Sequence, residues 1–327
     1  METKEPVEII FAGGAAGQLL GLATGLYINK TTGIPFKLVL IPGAYALTPG
    51  YVLHEVTKPS EWRIYQDEPS SEQAKEKGGR FWRLIPPKHR FLFVPLRKMI
   101  EFSVTKYTDL GIYIENRTSA NLCLRYSGDM KTLKLVSLKT KSIRGNHWAG
   151  LISEVISEIE ERFSSFSEFN PFNLQAENIL GVAIHYRMGD MRSDPKSKEN
   201  FGVMDPKQIL KFVSRYQKKS KNHVMVTVFS DEPNISRKLF ENLGILGWQY
   251  EKSASVWEDI RKMSCYTHFI GSYSSVSGIV SEIRSAKKLP PSILPLNSRR
   301  YSITAKQKDV IYFKSKVLPL DHWVYAI

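Results

Sequence analysis

Cysteine is scarce in this chain: Cys123 and Cys265 are its only two in 327 residues. Two thiols so far apart exclude a disulfide framework and a paired-cysteine zinc site, and they fit a reducing compartment. Cys265 lies in an apolar stretch and is expected to act as a small core residue. Other signatures are missing as well. No His-Glu-x-x-His and no acidic cluster offers a metal site. Gly13-Gly14-Ala15-Ala16-Gly17 is out of register with a dinucleotide loop, and no Lys-Ser/Thr follows it as in a P-loop. The Gly-x-Ser-x-Gly elbow of a serine hydrolase is absent. Charge is absent from residues 9–28, where Gly17, Gly21 and Gly25 have a spacing seen in membrane helices. Dense glycine and the preceding Glu2, Glu5 and Glu8 argue against a span and against a secretory leader. A strand, a tight turn and a buried helix account for the same residues, with a cytoplasmic location expected.

Positive charge is plentiful. Lys and Arg number 46 against 32 Asp and Glu, a net charge of +14. Such a balance suits a phosphate ligand, an anionic membrane face or nucleic acid, and it also serves solubility. No nucleic-acid module or aromatic-basic repeat appears, so nucleic acid is not an expected partner. Hydrophobic content of 42% supports a globular core.

Val7 to Phe11 reads as a short buried strand, Gln18 to Asn29 as a helix and Phe36 to Ile41 as another apolar run. Residues 55–90 read as a long surface excursion, and residues 91–140 have no clear order. Trp148, Leu151, Ile152, Val155, Ile156, Ile159 and Phe163 recur at helical spacing, predicting one amphipathic helix. The Asn170-Pro171 loop after it marks a domain boundary, giving domains at 1–172 and 173–327. Beyond it, strands at Ile179 to His185, Val224 to Phe229 and His268 to Gly271 alternate with helices. Those helices are expected after Asp205-Pro206 and over residues 234–243, Val256 to Cys265 and Ser274 to Ala286. Alternation of this kind implies a parallel sheet with helices on its faces, and ligands at the carboxyl ends of its strands.

Three segments end strands with polar residues. In His185-Tyr186-Arg187-Met188-Gly189-Asp190, His185 and Arg187 are two residues apart and point the same way. An arginine there can clamp a diphosphate with two charge-assisted hydrogen bonds, or serve as half of a structural Arg–Asp pair. In Phe229-Ser230-Asp231-Glu232, Asp231 can accept from a base or ribose, or Ser230 or Asp231 can cap the next helix. In Gly271-Ser272-Tyr273-Ser274-Ser275-Val276-Ser277, hydroxyls and free N–H groups at a helix start suit phosphate oxygens, while Ser274 can equally be an ordinary cap.

Taken in order, these segments resemble the GDP-fucose-dependent fucosyltransferase superfamily, with the closest likeness to bacterial α-1,2-fucosyltransferases. The family's Gly-Gly-Leu-Gly-Asn-Gln is matched by Gly13-Gly14-Ala15-Ala16-Gly17-Gln18, and its His-x-Arg-Arg-Gly-Asp by residues 185–190. Its Phe-Ser-Asp-Asp is matched by Phe229-Ser230-Asp231-Glu232, and its late serine segment by Ser274-Ser275-Val276-Ser277. The resemblance implies a GT-B glycosyltransferase, α/β, with two Rossmann-like domains whose parallel sheets face across a cleft. The first domain would take a glycan acceptor and the second a nucleotide-sugar donor. It implies an inverting, metal-independent transfer of a deoxyhexose, fucose from GDP-fucose, to a glycan hydroxyl, with no further cofactor.

Roles follow from the same likeness. Arg187 would bind the β-phosphate and stabilise the leaving diphosphate, and His185 would sit beside the nucleotide. Asp231 would read the guanine edge, and Ser274 and Ser275 would contact phosphates. Gly13, Gly14 and Gln18 would line the sugar and acceptor side, and Asp194 is the candidate catalytic base. Met188 stands where the family has a second arginine, and Gly17 where it has asparagine. These departures leave two alternatives: another nucleotide sugar as donor, or a non-catalytic nucleotide- or sugar-binding relative. A peripheral contact with an anionic membrane is compatible with the basic surface.

Overall fold

The computed structural model describes residues 5–12, 15–40, 57–64, 121–125, 151–164, 179–189, 203–220, 223–251, 255–295 and 310–314. They form a mixed α/β structure with two sheets. The first contains β1 (Val7–Ala12), β2 (Phe36–Leu40), β3 (Trp62–Ile64) and β4 (Asn121–Arg125), in the order β3-β2-β1-β4. β1, β2 and β3 are parallel, but β4 runs antiparallel to β1. This sheet is therefore mixed, where a parallel one was expected. An antiparallel strand on the edge of a parallel sheet is a common arrangement. β3 also places part of the expected surface excursion in the sheet.

Between β1 and β2 runs α1 (Ala15–Thr32), in which every residue from Ala15 to Ile28 is buried. A helix apolar on all sides stabilises only when it is covered on all sides. It packs on β1 and β2, on α2 (Leu151–Glu154) and on α7 (Ser275–Ala286). Fully enclosed Leu19 and Leu22 are each worth about 2 kcal/mol of burial. A Cβ on Gly25 would meet the Phe36 ring at 2.4 Å, so glycine sets the distance between α1 and β2. Among the described residues no helix is long and apolar enough to cross a membrane.

The amphipathic helix expected from Trp148 onward is interrupted. α2 ends before Val155, whose φ of −126° and ψ of 23° are not helical, and α3 (Ile156–Phe163) resumes. Both parts keep their apolar side inward through Leu151, Ile152, Val155, Ile159 and Phe163.

The second sheet has six strands, all parallel, in the order β10-β9-β8-β5-β6-β7. They are β5 (Ile179–His185), β6 (His223–Phe229), β7 (Gln249–Glu251), β8 (His268–Gly271), β9 (Ser292–Pro295) and β10 (Val310–Phe313). Three helices join them with α7: α4 (Pro206–Lys219), α5 (Pro233–Glu241) and α6 (Val256–Met263). Their starts are written in the sequence. The Asp205 side chain accepts from Lys207 N at 2.9 Å with Pro206 next, and the Ser255 hydroxyl accepts from Trp257 N at 3.1 Å. Gly244, at φ +76°, follows α5 in the left-handed conformation expected of a glycine near a helix end. Cys265 is half-buried in the turn after α6, not a core residue, because the helix closes at Ser264 before reaching it.

Side chains alternate across this sheet and feed two cores. Val182, Ile184, Val226 and Val228 pack with Ile209, Val213 and Phe240 from α4 and α5. Ala183, Phe229 and Phe269 belong to the other core, with Trp257, Ile260 and Met263 of α6, Ile279 and Ile283 of α7, and α1. The second core therefore spans α1 and two of the helices of the six-stranded sheet, α6 and α7.

Candidate functional site

From β5 the chain goes through α4 to β6 on one side, then through α5 to β7. It returns through α6 to β8 on the other side of β5. The direction of strand addition reverses between β5 and β8, and parallel sheets bind ligands at the carboxyl end of such a switch point. The register is level there: His185 is paired with both Phe229 of β6 and Gly271 of β8. The three polar segments singled out in the sequence therefore emerge together.

The segment after β5 keeps the strand's alternation. Tyr186 and Met188 are fully buried among Val203, Met204 and Phe240, and the Tyr186 hydroxyl donates to Met204 O at 2.6 Å. His185 and Arg187 face the other way, toward α7. His185 Nδ1 and the Ser277 hydroxyl share a hydrogen bond of 2.7 Å. Burial, reinforced by the Arg187 charge, holds the His185 pKa down at about 3, so the ring is neutral near pH 7. Arg187 N donates to the Ser272 hydroxyl at 3.1 Å, and Arg187 Nη1 reaches the Ser274 hydroxyl at 3.4 Å.

Ser274 caps α7, its hydroxyl accepting from Val276 N at 3.2 Å. Capping and contact with Arg187 are thus combined in one side chain. Ser275 is half-buried at the first position of the helix. A guanidinium beside a helix N-terminus places positive charge next to positive partial charge, which an anion relieves. Across the switch point, the Asp231 carboxylate accepts from Met188 N at 2.8 Å and Gly189 N at 2.9 Å. The Ser230 hydroxyl accepts from Glu232 N at 3.1 Å, so Ser230 serves the turn into α5.

Of the expected site residues, His185, Arg187, Asp231, Ser274 and Ser275 are brought together. Gln18 lies in the first turn of α1 with its side chain fully enclosed. Gly13, Gly14, Asp190 and Asp194 lie outside the described residues. Met188 is a core residue, not a gap in the cationic site: its side chain points away from Arg187. Ser272 and Ser277 were not assigned from sequence. The signal for Ser277 was its place one helical turn beyond the Ser274 cap, on the same side of the helix. Gly271 was another: a Cβ there would meet Leu294 Cδ2 at 2.4 Å and Ser277 Cβ at 2.7 Å, so glycine lets α7 approach β8. Among the described residues no group of His, Cys, Asp and Glu is arranged to hold a metal ion.

No family model and no curated protein matches the chain. Among solved structures it is similar to NodZ α-1,6-fucosyltransferase soaked with GDP-fucose, at 13% identity and a TM-score of 0.40, covering 90% of this chain and 97% of that one. It is also similar to fucosyltransferase NodZ from Bradyrhizobium, at 13% identity and a TM-score of 0.36, covering 85% and 92%.

Proposed function

We propose that the chain is a glycosyltransferase that binds a nucleotide-sugar donor at the β5–β8 switch point and transfers its sugar to a glycan hydroxyl. The observation that carries this reading is Arg187, set at the carboxyl end of β5 beside the Ser274 cap and the N-terminus of α7. A planar fork, hydroxyls and a helix N-terminus form the donor set that a diphosphate requires. The ordered motifs of the sequence make GDP-fucose the donor of choice, a GT-B cleft the setting, and residues 1–172 and 173–327 the acceptor and donor domains.

In the transfer, an acceptor hydroxyl oxygen attacks the anomeric carbon as the bond from that carbon to the β-phosphate oxygen breaks. The electron pair goes to the diphosphate, and the acceptor proton goes to a carboxylate, for which Asp194 is the candidate. A single displacement inverts the anomeric centre. Arg187 and the start of α7 stabilise the charge growing on the diphosphate, the task a metal ion performs in other transferases. Neutral His185 lines the nucleotide side without adding a second full charge. The exposed Lys207, Lys211, Arg215, Lys218 and Lys219 of α4 are the surface on which a peripheral contact with an anionic membrane would rest.

The test is a melting-temperature screen against GDP, UDP and dTDP, followed by incubation of GDP-fucose with glycan acceptors. A ligand that binds the native state raises the melting point. GDP should raise it most, and GDP should be released only when an acceptor is present. A chain that none of the three nucleotides stabilises is not a transferase of this kind.

A further inference from the structure

We propose that Asp231 is a positioning residue for Arg187: its carboxylate clamps the backbone just past the arginine and so fixes where the guanidinium stands. The inference rests on the reading of Arg187 as the diphosphate ligand, and it gives Asp231 a task other than contact with the nucleotide base.

The strand ladder supplies the context. β5 and β6 are paired up to His185 and Phe229, and one further rung joins Tyr186 N to Phe229 O at 2.8 Å. Beyond that rung the Asp231 side chain takes over from the partner backbone. Its two oxygens accept the consecutive N–H groups of Met188 and Gly189, at 2.8 and 2.9 Å. Hydrogen bonds to a carboxylate are about twice as strong as neutral ones. On the opposite side, Arg187 N donates to the Ser272 hydroxyl. Three successive N–H groups, of residues 187, 188 and 189, are therefore held by side chains from the turns after β8 and β6.

The side chains complete the constraint. Tyr186 and Met188 are anchored in the core, so the loop cannot rotate without withdrawing them. Gly189 makes the clamp possible: a Cβ there would lie 2.7 Å from Asp231 Oδ2. With the backbone fixed at 187–189, the Arg187 guanidinium stands beside Ser274 at the start of α7.

The experiment uses the full chain with Asp231→Asn, Asp231→Ala and Gly189→Ala, compared at equal folded fraction. The readouts are amide hydrogen exchange at residues 187–189 and affinity for inorganic pyrophosphate, GDP and guanosine. The account predicts faster exchange at Met188 and Gly189, with affinity for pyrophosphate and GDP falling by one common factor of about tenfold, the scale of a charge-assisted hydrogen bond. Guanosine affinity stays unchanged, which separates positioning from general structural damage. The proposal is overturned if GDP affinity falls while pyrophosphate affinity does not, since that marks a base contact. It is also overturned if guanosine affinity falls in step with pyrophosphate, or if exchange at 188 and 189 is unaltered. An unsubstituted chain that binds neither pyrophosphate nor GDP overturns the Arg187 reading itself, while the exchange rates still decide whether Asp231 holds the loop.

Discussion

His185 Nδ1 lies 2.7 Å from the Ser277 hydroxyl, tying the last residue of β5 to the first turn of α7. The bond fixes the imidazole plane beside Arg187, in surroundings that disfavour a second cation. A neutral, oriented ring next to a phosphate-binding arginine is what the proposed donor site needs. It also has consequences for stability.

Both His185 and His268 have depressed pKa values in the folded chain, about 3 and about 4, caused chiefly by burial and secondarily by Arg187 and Arg284 respectively. In the unfolded chain a histidine takes up its proton near pH 6.5. Between pH 6.5 and these lower values the unfolded state binds more protons, so stability rises with pH across that window. It is present in full above pH 6.5 and is lost as the pH falls toward 4 and 3. Urea unfolding measured from pH 4 to pH 8 should show this slope, and His185→Gln should make it shallower. An unchanged slope would mean that His185 titrates normally.

The Arg162 guanidinium grips Glu61 through both nitrogens, at 2.7 and 2.8 Å, joining α3 to the short helical turn before β3. Burial raises the Glu61 pKa, but the Arg162 hydrogen bonds, with the Lys58 N–H, outweigh it and hold the carboxyl below its ordinary value. The pair therefore stabilises above about pH 4.5, and that contribution fades as the pH falls through the lower folded value. Arg162→Ala should cost about 2 kcal/mol near pH 7. A urea midpoint that falls at pH 7 but matches the unsubstituted chain in acid confirms the pairing.

Gly271→Ala should destabilise by about 2 kcal/mol through overpacking, because Leu294 and Ser277 occupy the space a Cβ needs. The same change pushes Ser277 away from His185. Thermal melting reads the first effect, and the His185 ring resonances in a proton NMR titration read the second. Melting at the original temperature would show that α7 can retreat without cost.

Met188→Arg does not add a cation to the donor site. The position faces the core with Tyr186 and Phe240, so the substitution buries a charge and should cost about 3 kcal/mol or more. The expected result is a large drop in the urea midpoint with no gain in affinity for GDP. Tighter GDP binding by a stable variant would place position 188 on the ligand side.

Much of the six-stranded sheet was legible. Ile179 to Ile184 is a continuous apolar run, β5 forms over the predicted span Ile179–His185, and Asp205-Pro206 and Ser274 cap the helices predicted from them. Less was legible where pairing comes from distant partners. β7, β9 and β10 are three or four residues long, too short to show a period, and β3 and β4 take their places by pairing with β2 and β1. The site was legible as three separate segments but not as an assembly. Asp231 reads as a ligand contact or a cap because its partners, two backbone N–H groups more than forty positions away, leave no mark in the local sequence. The inward direction of Met188, in contrast, follows from simple alternation with Arg187. A double-arginine motif specifies the residue's identity and carries no information on its facing.

The most direct test is calorimetric titration of GDP into the unsubstituted chain and into Arg187→Ala and Arg187→Lys. The account predicts saturable one-to-one binding that weakens by about a hundredfold in Arg187→Ala, with partial recovery at most in Arg187→Lys, since a point charge cannot replace a planar fork. Equal GDP affinity in all three proteins would contradict it.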